Sequence, residues 1–251
     1  MAATPAASDA STSRRWLVKA GKHFLRWNNH FQTRHSRLAT GPIISNDAFD
    51  WVPELEDAWP AIRAELDALL ERPQDIPAFH QISPDQQRIS KGNNWKSFGF
   101  FVYGKRVDDN CAQCPRTAAI LARLPGMRTA MFSILAPRYH IPPHCGPTRA
   151  VIRVHLGLKV PEPRQAIWIR VGDEVLNWQE GKVIMFDDTY EHEVLNGTDE
   201  TRAVLFLDIE RPMDRIGTVV NRTLLRLIQA STYVKQPIKN MIAWNREHPR
   251  D

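Results

Sequence analysis

The sequence predicts a mainly β fold, an antiparallel sandwich or jelly roll, with helices at both ends. Two observations carry this. Six short segments of strand-like composition lie between residues 97 and 208, most of them separated by Pro or Gly turn signals. Only one helical segment, 114–124, interrupts them, so the βαβ alternation of a parallel sheet is missing. The strand candidates are 97–104 (SFGFFVYG), 128–135 (RTAMFSIL), 149–158 (RAVIRVHLGL), 165–171 (QAIWIRV), 182–187 (KVIMFD) and 202–208 (RAVLFLD). Ahead of them, 45–72 reads as helical, starting near Ser45-Asn46-Asp47, with Pro60 near a helix start. Residues 73–95, rich in Pro, Gln and Asn, read as loop. After them, Ile216, Val219, Val220, Leu224, Leu227 and Ile228 make an apolar stripe at helical spacing.

The ends differ from the body. Residues 1–13 are small and polar and read as a disordered tail. Residues 14–40 read as a basic amphipathic helix: Trp16, Ala20, Phe24, Trp27 and Phe31 recur at helical spacing, with Arg14, Arg15, Lys19, Lys22 and Arg26 mostly between them. That pattern suits an anionic membrane surface as well as it suits docking on the body of the protein. Residues 41–212 form the expected β domain with an N-terminal helical part, and 213–251 a basic helical extension. Net charge is +6 over 1–40, −6 over 41–210 and +5 over 211–251. A uniformly basic nucleic-acid binder does not have this distribution.

Of 251 residues, 43% are hydrophobic, which excludes global disorder, and no run of about 18 apolar residues suggests a membrane-spanning helix. Three cysteines do not make a disulfide framework, and Cys111-Ala-Gln-Cys114 has no second CxxC or CxxH to complete a zinc site. No signal peptide is evident, so a cytoplasmic location is expected, with membrane-surface contact through the basic termini.

Chemistry concentrates in three places. His140-Ile-Pro-Pro-His144 puts a histidine at a rigid, non-helical strand end. Phe186-Asp-Asp-Thr-Tyr-Glu-His192 supplies a second histidine from another strand end, and two such imidazoles can converge on one metal. Between them, 149–157 has one apolar face (Ala150, Ile152, Val154, Leu156) and one bearing Arg149, Arg153 and His155. Buried charge on that second face needs a partner, either an anionic ligand or acids of the same chain. Arg202 opens the last strand and can grip a carboxylate, and Ser133 can donate to the same group. Together these residues suggest a metal and a dicarboxylate.

From Cys114 to Pro212 the chain resembles the aspartyl/asparaginyl β-hydroxylase family of Fe(II)- and 2-oxoglutarate-dependent oxygenases. The resemblance rests, in order, on MFSILAPRYHIPPHCGPT, RVHLGLKVP, WQEGKVIMFDDTYEHEV and TRAVLFLDIERP. It implies a double-stranded β-helix of cupin type, with Fe(II), 2-oxoglutarate and O2 as the reacting set. His144 and His192 would bind iron. Arg202 and Ser133 would hold the distal carboxylate of 2-oxoglutarate, and Arg153 and His155 its other carboxylate or the nearby substrate. Most oxygenases of the wider class add a carboxylate ligand two residues after the first histidine. Here that position is Gly146, which implies a coordination place left to water or, as in related halogenases, to chloride.

The resemblance implies hydroxylation of an unactivated C–H, first at the β-carbon of an Asp/Asn-type amino acid or peptide residue. The alternative substrate is the acyl chain of a membrane lipid, of lipid A or ornithine-lipid type. The alternative from another class is a non-catalytic cupin-like module that binds a metal or an anion.

Overall fold

A computed structural model describes residues 28–249. The expected tail 1–13, and the amphipathic pattern up to residue 27, lie outside the described residues. Residues 28–35 are helical (α1). The predicted helix 45–72 is two helices, α2 (Val52–Asp57) and α3 (Trp59–Leu70), divided at Ala58. Pro53 and Pro60 explain the break: each lies in a first turn, where a missing N–H and a fixed φ start a helix rather than continue one. The expected loop 73–95 contains one turn of α-helix, α4 (Phe79–Ile82), between two 3-10 turns at Pro73–Asp75 and Pro84–Gln86.

The β body has two antiparallel sheets. The larger contains β1 (Ile43–Ile44), β2 (Trp95–Val102), β3 (Lys105–Arg106), β4 (Met127–Leu135), β6 (Val151–Lys159), β9 (Val183–Phe186) and β11 (Arg202–Glu210), in the order β1-β9-β6-β11-β4-β2-β3. The smaller contains β5 (Tyr139–His144), β7 (Ile167–Val171), β8 (Glu174–Asn177) and β10 (His192–Asn196), in the order β5-β10-β7-β8. All ladders of the two sheets are antiparallel, and the two face each other as a jelly roll. Helices α5 (Asp108–Gln113) and α6 (Pro115–Arg123) interrupt the strands, and α7 (Arg215–Ala230) and α8 (Thr232–Glu247) come after the last of them.

The alternation along β6 decides which layer touches which. Ile152, Val154, Leu156 and Leu158 join Leu55, Ile62, Leu66 and Leu121 in the main core, between the large sheet and α2, α3 and α6. Cys111 and Cys114 are buried in that same core. Arg153, His155 and Gly157 must then face the other sheet. There, Leu135, Val204, Phe186 and Trp178 pack on Ile167, Ile169, Val171 and Val194 in a second core. Strand β5 was not among the six predicted strands. Its Pro142 and Pro143 cannot donate to a ladder, and it is tolerated because it is an edge strand, paired only with β10.

Gly157 is fixed by a close approach. Its N–H donates to the Lys182 carbonyl (3.0 Å), Gly181 N–H donates back (2.9 Å), and a Cβ here would stand 2.1 Å from the Gln179 carbonyl oxygen. The contact holds the segment carrying Trp178 over the interior face of β6. Gly157→Ala is therefore expected to cost about 1–3 kcal/mol of stability, read by urea denaturation; an unchanged midpoint would show that the segment shifts freely.

Candidate active site

His144 ends β5 and His192 begins β10, and the two are direct cross-strand partners. Their ring centroids lie 4.1 Å apart. Each Nδ1 donates to a carbonyl two residues back: His144 to Pro142 (2.8 Å) and His192 to Tyr190 (3.0 Å). A carbonyl can only accept, so the proton sits on Nδ1, and each Nε2 presents a lone pair. Burial lowers both pKa values, that of His192 to about 3, with the neighbouring His144 contributing. Both rings are neutral at physiological pH, which is the form a metal requires. Among the described residues, no group of three or more His, Cys, Asp or Glu side chains is disposed to hold a metal. The chain itself offers a pair.

The position of Gly146 explains the missing acid. Its N–H donates to the Asp188 carbonyl (2.6 Å), and a Cβ there would lie 2.2 Å from the Asp188 carboxylate. No side chain fits two residues after His144, because the Asp188 carboxylate already occupies that space. Asp188 is buried, and desolvation pushes its pKa up to about 6 against the pull of Arg153. Arg153 donates to Asp188 (2.7 Å) and to Asp208 (2.8 Å), with its guanidinium 4.0 Å from the Phe206 ring centroid. Of the two satisfactions open to the polar face of β6, Arg153 uses acids of the chain.

Among the described residues, Arg202 has no such partner. It is 1% exposed, its Nε and Nη2 bond nothing, and burial alone lowers its pKa. Its guanidinium stacks 3.8 Å from the Trp178 ring centroid. Around it, both nitrogens of His155 and the Nε1 of Trp178 are also buried without partners. His155 is held neutral, chiefly by burial and then by Arg202 and Arg153. Ser133 Oγ accepts from Trp95 Nε1 (3.0 Å), leaving its own proton free to donate. The register brings these residues together: Arg202 pairs with Leu135, Val204 with both Ser133 and Gly157, and Phe206 with His155. Three adjacent strands thus aim a cation and several neutral donors into one dry space. A carboxylate is the group this donor set lacks.

The histidine pair opens into a cavity of about 180 Å3. Arg153, Asp188 and Asp208 line its polar side, while Phe79, Ile82 and Ile89, Phe101 and Met131, and Tyr233, Pro237 and Met241 of α8 line its apolar arm.

The sequence-predicted residues thus fall into three groups. His144 and His192 meet at the mouth, Arg202, Ser133 and His155 surround the deeper space, and Arg153 lies between, bound to two acids. Sequence reasoning missed Trp178 as a wall of the anion space and Asp188 as the occupant of the Gly146 position. Trp178 lies in the informative WQEGKVIMFDD stretch, but nothing local marks it as the partner of Arg202.

Fold and site define a jelly-roll protein in which two neutral histidines and an unpartnered arginine face the interior between two sheets. A family model described as aspartyl/asparaginyl β-hydroxylase matches residues 56–212. An ornithine lipid ester-linked acyl 2-hydroxylase from Rhizobium tropici is 40% identical over 221 residues, 88% of this chain and 79% of that protein. The human aspartyl/asparaginyl β-hydroxylase is 32% identical over 64% of this chain, but only 21% of its own length is covered. Among solved structures, the Schizosaccharomyces pombe Cnp3 cupin domain is similar over 51% of this chain and 69% of its own, at 11% identity and a TM-score of 0.33. The chain belongs to the aspartyl/asparaginyl β-hydroxylase family, and its relatives are hydroxylases.

An unpaired buried guanidinium destabilises the ligand-free protein. Arg202→Met is expected to stabilise that form by about 1–3 kcal/mol, seen as a higher melting temperature without added anion. A lower melting temperature would mean that Arg202 has a counter-charge within the chain.

Proposed function

We propose that this protein is an Fe(II)- and 2-oxoglutarate-dependent hydroxylase acting on a C–H bond of a membrane-lipid acyl chain. The observation that carries the substrate is the composition of the cleft. Among the described residues, Arg153 is the one Lys or Arg in the lining and pairs with Asp188 and Asp208, while the charge of Arg88 reaches His144 from outside that lining. Asp188 and Asp208 balance Arg153 on that wall, while the rest of the lining is mostly apolar, with Ser83, Gln86, Ser97 and Thr129 as neutral polar groups. An acyl chain fits the mostly apolar part of such a surface. The relative that is 40% identical carries the name of an acyl hydroxylase. The cleft therefore moves the Asp/Asn-type substrate, expected first from sequence, behind the lipid.

The cofactor set fits the residues present. His144 and His192 would hold iron through their Nε2 atoms, and Arg202 with Ser133 would hold the distal carboxylate of 2-oxoglutarate. Iron, 2-oxoglutarate and O2 together supply the oxidising power for C–H cleavage. The chain does the rest. Pro142 and Tyr190 carbonyls orient the two rings. Arg153 fixes Asp188 against Gly146, so that acid cannot swing away from the mouth. Trp178, Phe186 and Phe206 surround His155 and keep water from the carboxylate space. Action at the cytoplasmic face of a membrane belongs to this proposal.

Replacing either His144 or His192 with Ala is expected to abolish stoichiometric Fe(II) binding while circular dichroism stays native; full iron occupancy in either variant would remove the ligand assignment. Arg202→Met should weaken 2-oxoglutarate by about 1.5–3 kcal/mol, measured by calorimetry in the presence of Fe(II). For the substrate, mass spectrometry of lipid and peptide fractions from cells with and without the protein should show a gain of one oxygen on an acyl chain. A gain confined to Asp or Asn residues would restore the peptide reading. If purified, iron-loaded protein released no succinate with either fraction, the non-catalytic binding module would stand instead.

A further inference from the structure

Helix α7 turns half of its apolar stripe outward, while Val220, Leu224 and Ile228 are half-buried. Gly217, Asn221 and Leu225 are its buried positions, whereas Ile216 (63%), Val219 (67%) and Leu227 (66%) rank among the most exposed large apolar side chains. This orientation is locked. Asn221 donates to the Ala150 carbonyl (2.9 Å) and accepts from Gln32 of α1 (3.0 Å). At Gly217 a Cβ would stand 2.6 Å from the Cβ of His35. Rotating the helix to bury its stripe would break those bonds and lose that close packing.

The outward surface is itself divided. At about 100° per residue, Ile216, Val219 and Leu227 fall on one arc, and Arg215, Arg222 and Arg226, all exposed, on the adjacent one. From Arg215 to Arg246 the chain has six Lys or Arg and no Asp or Glu. Apolar residues with arginines along one border match an acyl–headgroup boundary, where the stems lie on the apolar zone and the charges reach phosphates. The stripe also leads to the cleft. Tyr233, 42% exposed, stands three residues past the end of α7 and lines the cavity with Pro237 and Met241. Gln229 donates to the Tyr103 carbonyl (2.7 Å), tying the α7–α8 turn to the cavity wall.

We propose that this face of α7 docks the protein on an anionic lipid bilayer and places the cleft mouth at the headgroup level. The inference deepens the proposed lipid substrate and rests on it for its purpose. Charge decides the occupant. A second copy would bring arginines against arginines, and residues 14–27 of the same chain carry Arg14, Arg15, Lys19, Lys22 and Arg26 with no acid. Among the described residues no helix is long and apolar enough to cross a membrane.

The test is cosedimentation of the full chain with phosphatidylcholine vesicles, with and without phosphatidylglycerol, in the absence of cosubstrate. Wild type should bind the anionic vesicles more tightly, and less so as salt rises. The triple variant Ile216→Ser, Val219→Ser, Leu227→Ser should lose about tenfold or more in binding. Arg215→Gln, Arg222→Gln and Arg226→Gln together should erase the preference for anionic vesicles, and this second variant keeps the test decisive if the first does not fold. No binding by wild type, or equal binding by both variants, would overturn the proposal. Because binding is read without turnover, docking without acyl hydroxylation would count against the substrate alone, and acyl hydroxylation without α7-dependent docking against this surface alone.

Discussion

A buried positive charge that finds no counter-charge among the described residues is the constraint around which this molecule is organised. Arg202 lies at the start of the central β11, under Trp178, with two of its nitrogens unpartnered. Such a group is costly unless something enters to neutralise it. The strands on either side supply neutral donors rather than carboxylates, so the space stays suited to an anion from outside. The acids of the interior, Asp188 and Asp208, are held one layer further out by Arg153. Two arginines on one sheet face thus have opposite settings: one is closed by the chain, and the other is left open.

That separation follows from strand register. Arg153 pairs across β6 and β11 with Asp208 itself, whereas Arg202 pairs with Leu135 on one side. Phe206, between them along β11, packs on both His155 and Arg153 and keeps the two polar layers apart. The histidine pair belongs to the smaller sheet, so the barrel splits its labour. One sheet carries the unpartnered Arg202 and the other the histidine pair, and the second hydrophobic core packs between the sheets.

Much of this was legible in the sequence because it is periodic. The strands near 128–135, 149–158 and 202–208 alternate cleanly or run apolar, and the two-faced reading of 149–157 matched the structure. The helix at 14–31 and the break at Ala58 show the limits in different ways: most of the first lies outside the described residues, and the second needed two prolines to be weighed against a continuous apolar period. Strand β10 was missed because DTYEHEVLN carries too many polar residues to look like a strand, although its polar residues are the site. The partners of Arg153 lie 35 and 55 residues away, and no local pattern connects them. The stripe on α7 was visible, but periodicity reports that a helix has an apolar side, not which way that side faces. Gly217 and Asn221 decide that by contacts with α1.

The two prolines of β5 have a consequence beyond ligand placement. His144 stands on the outermost strand of its sheet, the place where foreign backbone would ordinarily add on. Backbone amides alternate between the two edges of a strand, so Pro142 and Pro143 remove one donor from each side of β5, and an incoming strand meets an interrupted ladder at the free margin. The same pair that stiffens the approach to His144 thereby works against edge-to-edge pairing there.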